Sequence, residues 1–284
     1  MLGKKTIDVI VSKDTILNNA HLFALRECPM TTQNSVASSA TLAQRQSLLQ
    51  NLRALGVVAG DVLWVHSSLR SLGPVDGGAD TVITALQEAV TADGTLLMPA
   101  FNLVERSQRS ATWQYPDTPS TVGYITERFR QLPNVVRSDH YSHSVVAWGR
   151  DASWYVQGHR DDIGMDSPWD LAPWGKTHGS HSPFARMIER DAKLLMLGVD
   201  YHSATFAHFV EVLAWHRRRQ DDPQAAYDFI DRNKLGSWWD SQGQVQTGFI
   251  AQAPCRLFSI KLFVERSLDR VLDQPKLFFK SFGK

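Results

Sequence analysis

An α/β fold is what this sequence predicts: three αβα layers, a largely parallel central sheet, and an antiparallel extension near the C-terminus. Three observations predict it. A strand pattern, a helix pattern and a second strand pattern follow one another within roughly 40 residues, which is a βαβ crossover. Further short apolar runs recur downstream with helical stretches beside them. A late stretch, 231–256, then alternates polar and apolar residues, as an antiparallel addition would.

In chain order, "TLAQRQSLLQNLRALG" places Leu42, Leu48, Leu49, Leu52 and Leu55 near helical spacing and stops at Gly56, a C-terminal cap. "DVLWVH" is short, apolar and bounded by Gly60 and a serine pair, so it reads as a buried strand. After the His-Ser-Ser turn, Val82, Ile83, Leu86, Ala89 and Val90 share one helix face, with Asp80 placed to cap the N-terminus. "GTLLMPAF" is the next strand. "SVVAWG" (144–149) and "KLLMLGV" (193–199) read as further buried strands, with helical "RDASWYVQ" and a loop, 159–181, rich in Gly, His, Asp and Trp between them. "SATFAHFVEVLAWHRRR" is a helix, and "SIKLFVERSLDRVLDQPKLF" an amphipathic C-terminal one. Residues 1–40 differ: "MTTQNSVASSAT" is polar and small. The expected division is therefore an N-terminal extension, 1–40, and a main domain, 41–284, with Met30 an alternative start.

Composition excludes several classes. With 284 residues, 43% hydrophobic and 21% charged, the chain is of ordinary globular type. A net charge of +1 lacks the basic face of a nucleic-acid binder. The two cysteines, Cys28 and Cys255, suit a reducing compartment. No apolar run reaches the roughly 20 residues of a membrane span. The N-terminus shows no signal-peptide pattern, so a cytoplasmic protein is expected.

Two segments carry chemistry. "HSSLRSLGPVDGGADT" joins a strand to a helix through Gly77 and Gly78, the arrangement of an anion-binding turn. It matches neither G-x-G-x-x-G nor the nucleotide P-loop, so a phosphate cradle and a plain connection both stay open. Ser67 and Ser68 lack the G-x-S-x-G elbow of a nucleophile, and His66 beside them suits a structural or a catalytic role alike. In "TFAHFVEVLAW", Thr205, His208, Glu211, Val212 and Trp215 gather on one helix side, opposite Phe206, Phe209, Val210 and Leu213. His208 and Glu211 are three apart, close enough for the carboxylate to orient the imidazole. Periodicity alone favours a solvated pair. His-x-x-Glu supplies two ligands only, and the pairs His140/His143 and His178/His181 lie in loops, so no metal is expected. Asp139 and Asp200, near strand ends, are further candidates for substrate contact.

"VHSSLRSLGPVDGGADTVITAL" followed by "DGTLLMPAF" resembles the signature of the aminoglycoside 3-N-acetyltransferase family, also called antibiotic N-acetyltransferases. The likeness continues in order through "DTPSTVGYITERFR", "VVRSDHYSHSVVAWG", "HSPFARM", "KLLMLGV" and "TFAHFVE", roughly residues 41–280. The resemblance implies that His66, Ser67, Ser68, Leu69, Arg70, Gly77, Gly78 and Thr81 hold the pantetheine and diphosphate of acetyl-coenzyme A. It implies that Thr205, His208 and Glu211 match the family's T-x-x-H-x-x-E, with His208 the general base and Glu211 its partner. The expected reaction is direct acetyl transfer to an amine, typically the 3-amino group of a 2-deoxystreptamine aminoglycoside, an antibiotic-resistance activity. An amine is protonated in water, so a base near neutrality must take its proton as nitrogen attacks.

His140, ahead of a strand, and Asp200, near a strand end, are candidate acceptor contacts, with a loop histidine bonded to backbone an equal reading of His140; the family has His-Pro where this chain has His140-Tyr141. The 159–181 loop is longer than the family pattern, and Asp161, Asp162, Asp166 and Asp170 would attract a polycation or simply be solvated. The expected partner is a small-molecule amine, with no nucleic acid, no membrane and no metal; a homodimer stays open. Other readings are acetylation of a surface-polysaccharide amino sugar or another small amine, a non-catalytic coenzyme-A binder, and a hydrolase using Ser67 or Ser144.

Overall fold

The computed structural model describes residues 38–280. Cys28, Met30 and most of the N-terminal extension lie outside the described residues. The elements in chain order are α1 (Ser39–Leu55), β1 (Val62–Ser67), α2 (Gly78–Val90), β2 (Thr95–Pro99), α3 (Tyr124–Arg130), β3 (Val136–Arg137), β4 (Val145–Gly149), α4 (Ala152–Val156) and α5 (Pro183–Glu189). There follow β5 (Lys193–Leu197), α6 (Thr205–Asp221), α7 (Arg232–Asp240), β6 (Gln246–Ile250), β7 (Ala253–Ser259), α8 (Ile260–Asp273) and α9 (Pro275–Phe278).

The strands form one seven-stranded sheet in the order β3-β4-β2-β1-β5-β7-β6. Side chains alternate across it, and both faces are covered. Leu63 and Val65 of β1 point to a core shared with α1, α2 and α3, whereas Trp64 points to the core beneath α5, α6 and α8. That double burial is why β1 reads as an unbroken apolar run. The three-layer α/β class is as expected, and so is the antiparallel pairing of β6 with β7 and of β7 with β5.

The parallel part is confined to β2-β1-β5, because β4 joins β2 antiparallel. An apolar run encodes burial but not direction. Within 231–256, the expected extension begins only at Gln246; α7 precedes it and seals Leu235 and Trp239 into the core.

Caps were legible in part. Ser38 accepts from Thr41 N to start α1, and Gly56, at φ 109°, ends it. Asp80 does not cap α2. The helix starts at Gly78, with Gly77 at φ 77° as its cap, and the Asp80 carboxylate instead meets Arg128 of α3 at 2.6 Å.

The sheet order places a crevice. From β1 the chain crosses to β2 through α2 on one face, while β5, on the other side of β1, leads into α6 on the opposite face. Such a switch point opens a cleft at the carboxyl ends of the strands.

Candidate active site

A cleft of about 250 Å³ opens at the switch point. Its floor is the end of β1, His66 and Ser67, with Pro99 and Phe101 leaving β2 and Val199, Ser203 and Thr205 leading from β5 into α6. His208, one turn into α6, completes it. Because β4 runs antiparallel, the segment entering β4 lies at this same edge, and His143 therefore joins the lining. Three parallel strand ends thus bring His66 and Ser67, which open the first informative segment, together with Thr205 and His208 of the second in one cavity.

Glu211 is buried and fully engaged. Its Oε2 accepts from His208 Nδ1 at 2.6 Å and from the Tyr227 hydroxyl at 2.7 Å, and its Oε1 accepts from Ile230 N at 2.9 Å. The Glu211 side chain is 1% exposed and the His208 imidazole 22%. The solvated pair that periodicity favours is not what forms. The His/Glu side of α6 is roofed by Trp169, whose ring lies edge-on to His208 at 4.9 Å, and by the segment carrying Tyr227 and Ile230. Burial and the adjacent carboxylate hold the Tyr227 phenol protonated, far above its ordinary range.

With Nδ1–H directed at the carboxylate, His208 keeps the Nε2 lone pair for a proton. Near that nitrogen, at 3.5 Å, lies Nη1 of Arg232, which also donates to the His202 carbonyl. Arg232 opens α7 and lines the cleft.

His66 is a different kind of histidine. The Trp64 indole N–H, which can only donate, meets His66 Nε2 at 2.9 Å, so the ring proton resides on Nδ1. Burial, then the Arg232 charge, push its pKa down to about 3. It is a neutral hydrogen-bonding post. The Thr205 hydroxyl reaches the same Nε2 at 3.2 Å, tying the first residue of α6 to the end of β1.

The other expected residues are distributed unevenly. Ser68 lies just past β1 and lines an adjoining cavity of about 490 Å³, together with Val199 and Ser203, which both cavities share. Asp200 lines that second cavity, and its carboxylate caps His202 N at 3.0 Å. Leu69, Arg70, Gly77, Gly78 and Thr81 are not in the lining of either cavity. Leu69 packs against the α1/α2 core, and the Thr81 hydroxyl donates to Asp76 O at 2.6 Å, closing the turn before α2.

His140 is a correction. It is fully buried and does not reach the cleft; its Nδ1 accepts from His143 N at 3.0 Å and Ser142 N at 3.3 Å. Burial pushes its pKa down to about 3, so it braces the loop that presents His143. Asp139 is likewise spent, accepting from Trp113 Nε1 at 2.8 Å and from Arg160 at 3.0 Å. The Ser144 hydroxyl is buried and donates to Ala100 O at 2.7 Å, while Arg137 Nε approaches it at 3.0 Å, which leaves it no role as a nucleophile.

The loop carboxylates are also engaged. Asp162 accepts from Ile163 N and His181 N, and Asp166 and Asp170 pair with Lys176. None of the acidic residues of that loop lines the cleft. Among the described residues, no group of three or more His, Cys, Asp or Glu is placed to hold a metal ion, and no helix is long and apolar enough to cross a membrane.

Sequence reasoning missed Tyr227, Arg232 and Trp169. They reach His208 and Glu211 from segments 16 or more residues away in sequence, and no local spacing announces them.

Comparison with known proteins agrees with this architecture. Residues 64–270 match the family described as aminoglycoside 3-N-acetyltransferase. The SPbeta prophage-derived aminoglycoside N(3')-acetyltransferase-like protein YokD of Bacillus subtilis is 28% identical over 251 residues, covering 76% of this chain and 88% of that protein. Its crystal structure superposes with a TM-score of 0.65 at 27% identity, over 82% of this chain and 94% of that one. Aminoglycoside N(3)-acetyltransferase VIII of Streptomyces fradiae is 34% identical over 187 residues, covering 60% of this chain and 61% of its own length. The aminoglycoside acetyltransferase AAC(3)-IVa apoenzyme superposes with a TM-score of 0.67 at 27% identity, over 82% and 90% of the two chains. A mutant of that enzyme has been seen in complex with apramycin. An α/β acetyltransferase fold is the class these structures share with the chain. The chain belongs to the aminoglycoside 3-N-acetyltransferase family.

Proposed function

We propose that this protein transfers the acetyl group of acetyl-coenzyme A directly to an amino group of an amino sugar, with His208 as the general base. The observation that carries the proposal is the 2.6 Å bond from His208 Nδ1 to a buried carboxylate inside the cleft that also holds His66 and Ser67. Family membership supports aminoglycoside N-acetylation, and the 3-amino group of a 2-deoxystreptamine ring is the acceptor it points to first.

The residues present fit a thioester arm. Pro99, Phe101, Val122 and Val199 give the cleft apolar lining besides Ser67, and the second cavity, with Ser68 and Arg256, shares Val199 and Ser203 with it. Acetyl-coenzyme A, as co-substrate, supplies the activated carbonyl there. His208 Nε2 takes the proton released as the acceptor nitrogen bonds to that carbonyl and the carbon–sulfur bond breaks, and the imidazolium then returns it to the departing thiolate. Glu211 holds the tautomer and stabilises the imidazolium that results. Its own charge is held by Tyr227 and Ile230 N, so it does not need solvent. Thr205 acts as a positioning residue, fixing the start of α6 against His66.

Thiol release from acetyl-coenzyme A, followed over a panel of amines, tests the proposal. Release that requires an amine and yields its N-acetyl derivative is expected. Release without any amine would instead indicate a hydrolase, and tight coenzyme binding with no release a non-catalytic binder.

A further inference from the structure

The acceptor must approach His208 at Nε2, because Nδ1 is occupied by Glu211. On that approach stands the Arg232 guanidinium, 3.5 Å from Nε2. Among the described residues Arg232 makes no ion pair with a carboxylate; its hydrogen bonds go to a carbonyl and to the imidazole. No carboxylate lines the cleft either.

Arg232 and His202 also line a neighbouring cavity of about 650 Å³, and there the cations Lys234, Arg270 and Lys280 face a single carboxylate, Asp231. Asp231 is already in use, its Oδ1 accepting from Lys234 N at 3.1 Å. Arg270 meets Asp273, outside that lining, only at 3.5 Å through Nη1, and its Nε is buried without a hydrogen-bond partner. The ground beyond the base is therefore positive.

A polycationic acceptor would bring several ammonium groups against that field, where like charges cost affinity and on-rate. An amine whose scaffold also carries a phosphate or carboxylate would pair with Arg232 and draw the guanidinium away from the Nε2 lone pair. We infer that this chain departs from the polycationic acceptor its family points to first: its acceptor is an amine bearing an anionic group, held by Arg232 and the cationic cavity beyond it. The inference rests on His208 being the base.

The test uses the full chain and four acceptors: glucosamine, glucosamine 6-phosphate, muramic acid and tobramycin. The two anionic amines should exceed glucosamine and tobramycin in kcat/KM by about tenfold or more. Arg232→Gln should shrink that preference to about twofold, and Arg232→Glu should reverse it. A larger gain for the phosphate identifies a phosphorylated acceptor, and a larger gain for muramic acid a carboxylated one.

Thermal stabilisation by glucosamine 6-phosphate, absent with glucosamine and lost in Arg232→Gln, reads the same contact without turnover. If that stabilisation is seen while no amine is acetylated, the anion site stands and the transfer reaction fails. A preference for tobramycin, or acceptor ratios and stabilisation unmoved by Arg232→Gln, would overturn the inference.

Discussion

At the scale of single residues, a carboxylate's company decides what its histidine can do. The spacing of His208 and Glu211 was visible in the sequence, and so was the chemistry it permits. The state of Glu211 was not, since Tyr227 and Ile230 come from a segment with no periodic relation to α6. A buried carboxylate costs several kcal/mol unless its lone pairs are satisfied, and here three donors satisfy them. Tyr227→Phe removes one donor from a buried charge. It should lower stability by about 1.5–3 kcal/mol, read from the urea midpoint, and reduce turnover with it. An unchanged midpoint would mean that the phenol contributes nothing to holding Glu211. His66 and His140 teach the converse lesson: both looked like candidates, and the structure makes both neutral posts through burial.

At the scale of elements, α1, β1, α2, β2, β5 and α6 were legible because each carries its own period and its own stop. The orientation of β4 was not, and it matters, since only an antiparallel β4 delivers His143 to the cleft. The helix α7 hid inside a stretch that alternates in sequence, and with it went Arg232. The turn before α2 makes a sharper claim. Gly77 sits at φ 77°, and a Cβ there would fall 2.4 Å from the Thr81 hydroxyl oxygen. Gly78, at φ 59°, has nothing within 4 Å of the same atom. Gly77→Ala should therefore cost more than Gly78→Ala, which should lose only the backbone penalty of about 1–2 kcal/mol. If the turn holds coenzyme phosphates, Gly77→Ala should also raise the KM for acetyl-coenzyme A; thermal melts and initial rates check the two halves separately.

At the scale of the whole molecule, the buried histidines in and around the cleft give the fold a pH signature. His66, His140, His143, His159 and His178 are all buried with depressed pKa values, chiefly through desolvation. Their native pKa lies below the unfolded value near 6.5, so the unfolded chain binds more protons and stability falls as pH drops below that point. For His66 and His140, which reach about 3, the combined loss between pH 6.5 and 5 should be on the order of 3 kcal/mol. Carboxylates such as Glu127, whose native pKa is lowered by Arg130 and Ser120 against an opposing burial effect, add their loss only below about pH 4.5. Urea unfolding at a series of pH values separates these windows, and a flat profile above pH 5 would contradict the buried, neutral cluster. Burial of this kind was out of reach of sequence, where ten scattered histidines look alike.

The central claim concerns one of those ten. Acetyl transfer measured for the natural chain and for His208→Ala, with coenzyme affinity determined in parallel by calorimetry, tests it most directly. A fall in turnover of about 10²–10⁴-fold with coenzyme affinity nearly unchanged is the predicted result. Full turnover in the variant would contradict it.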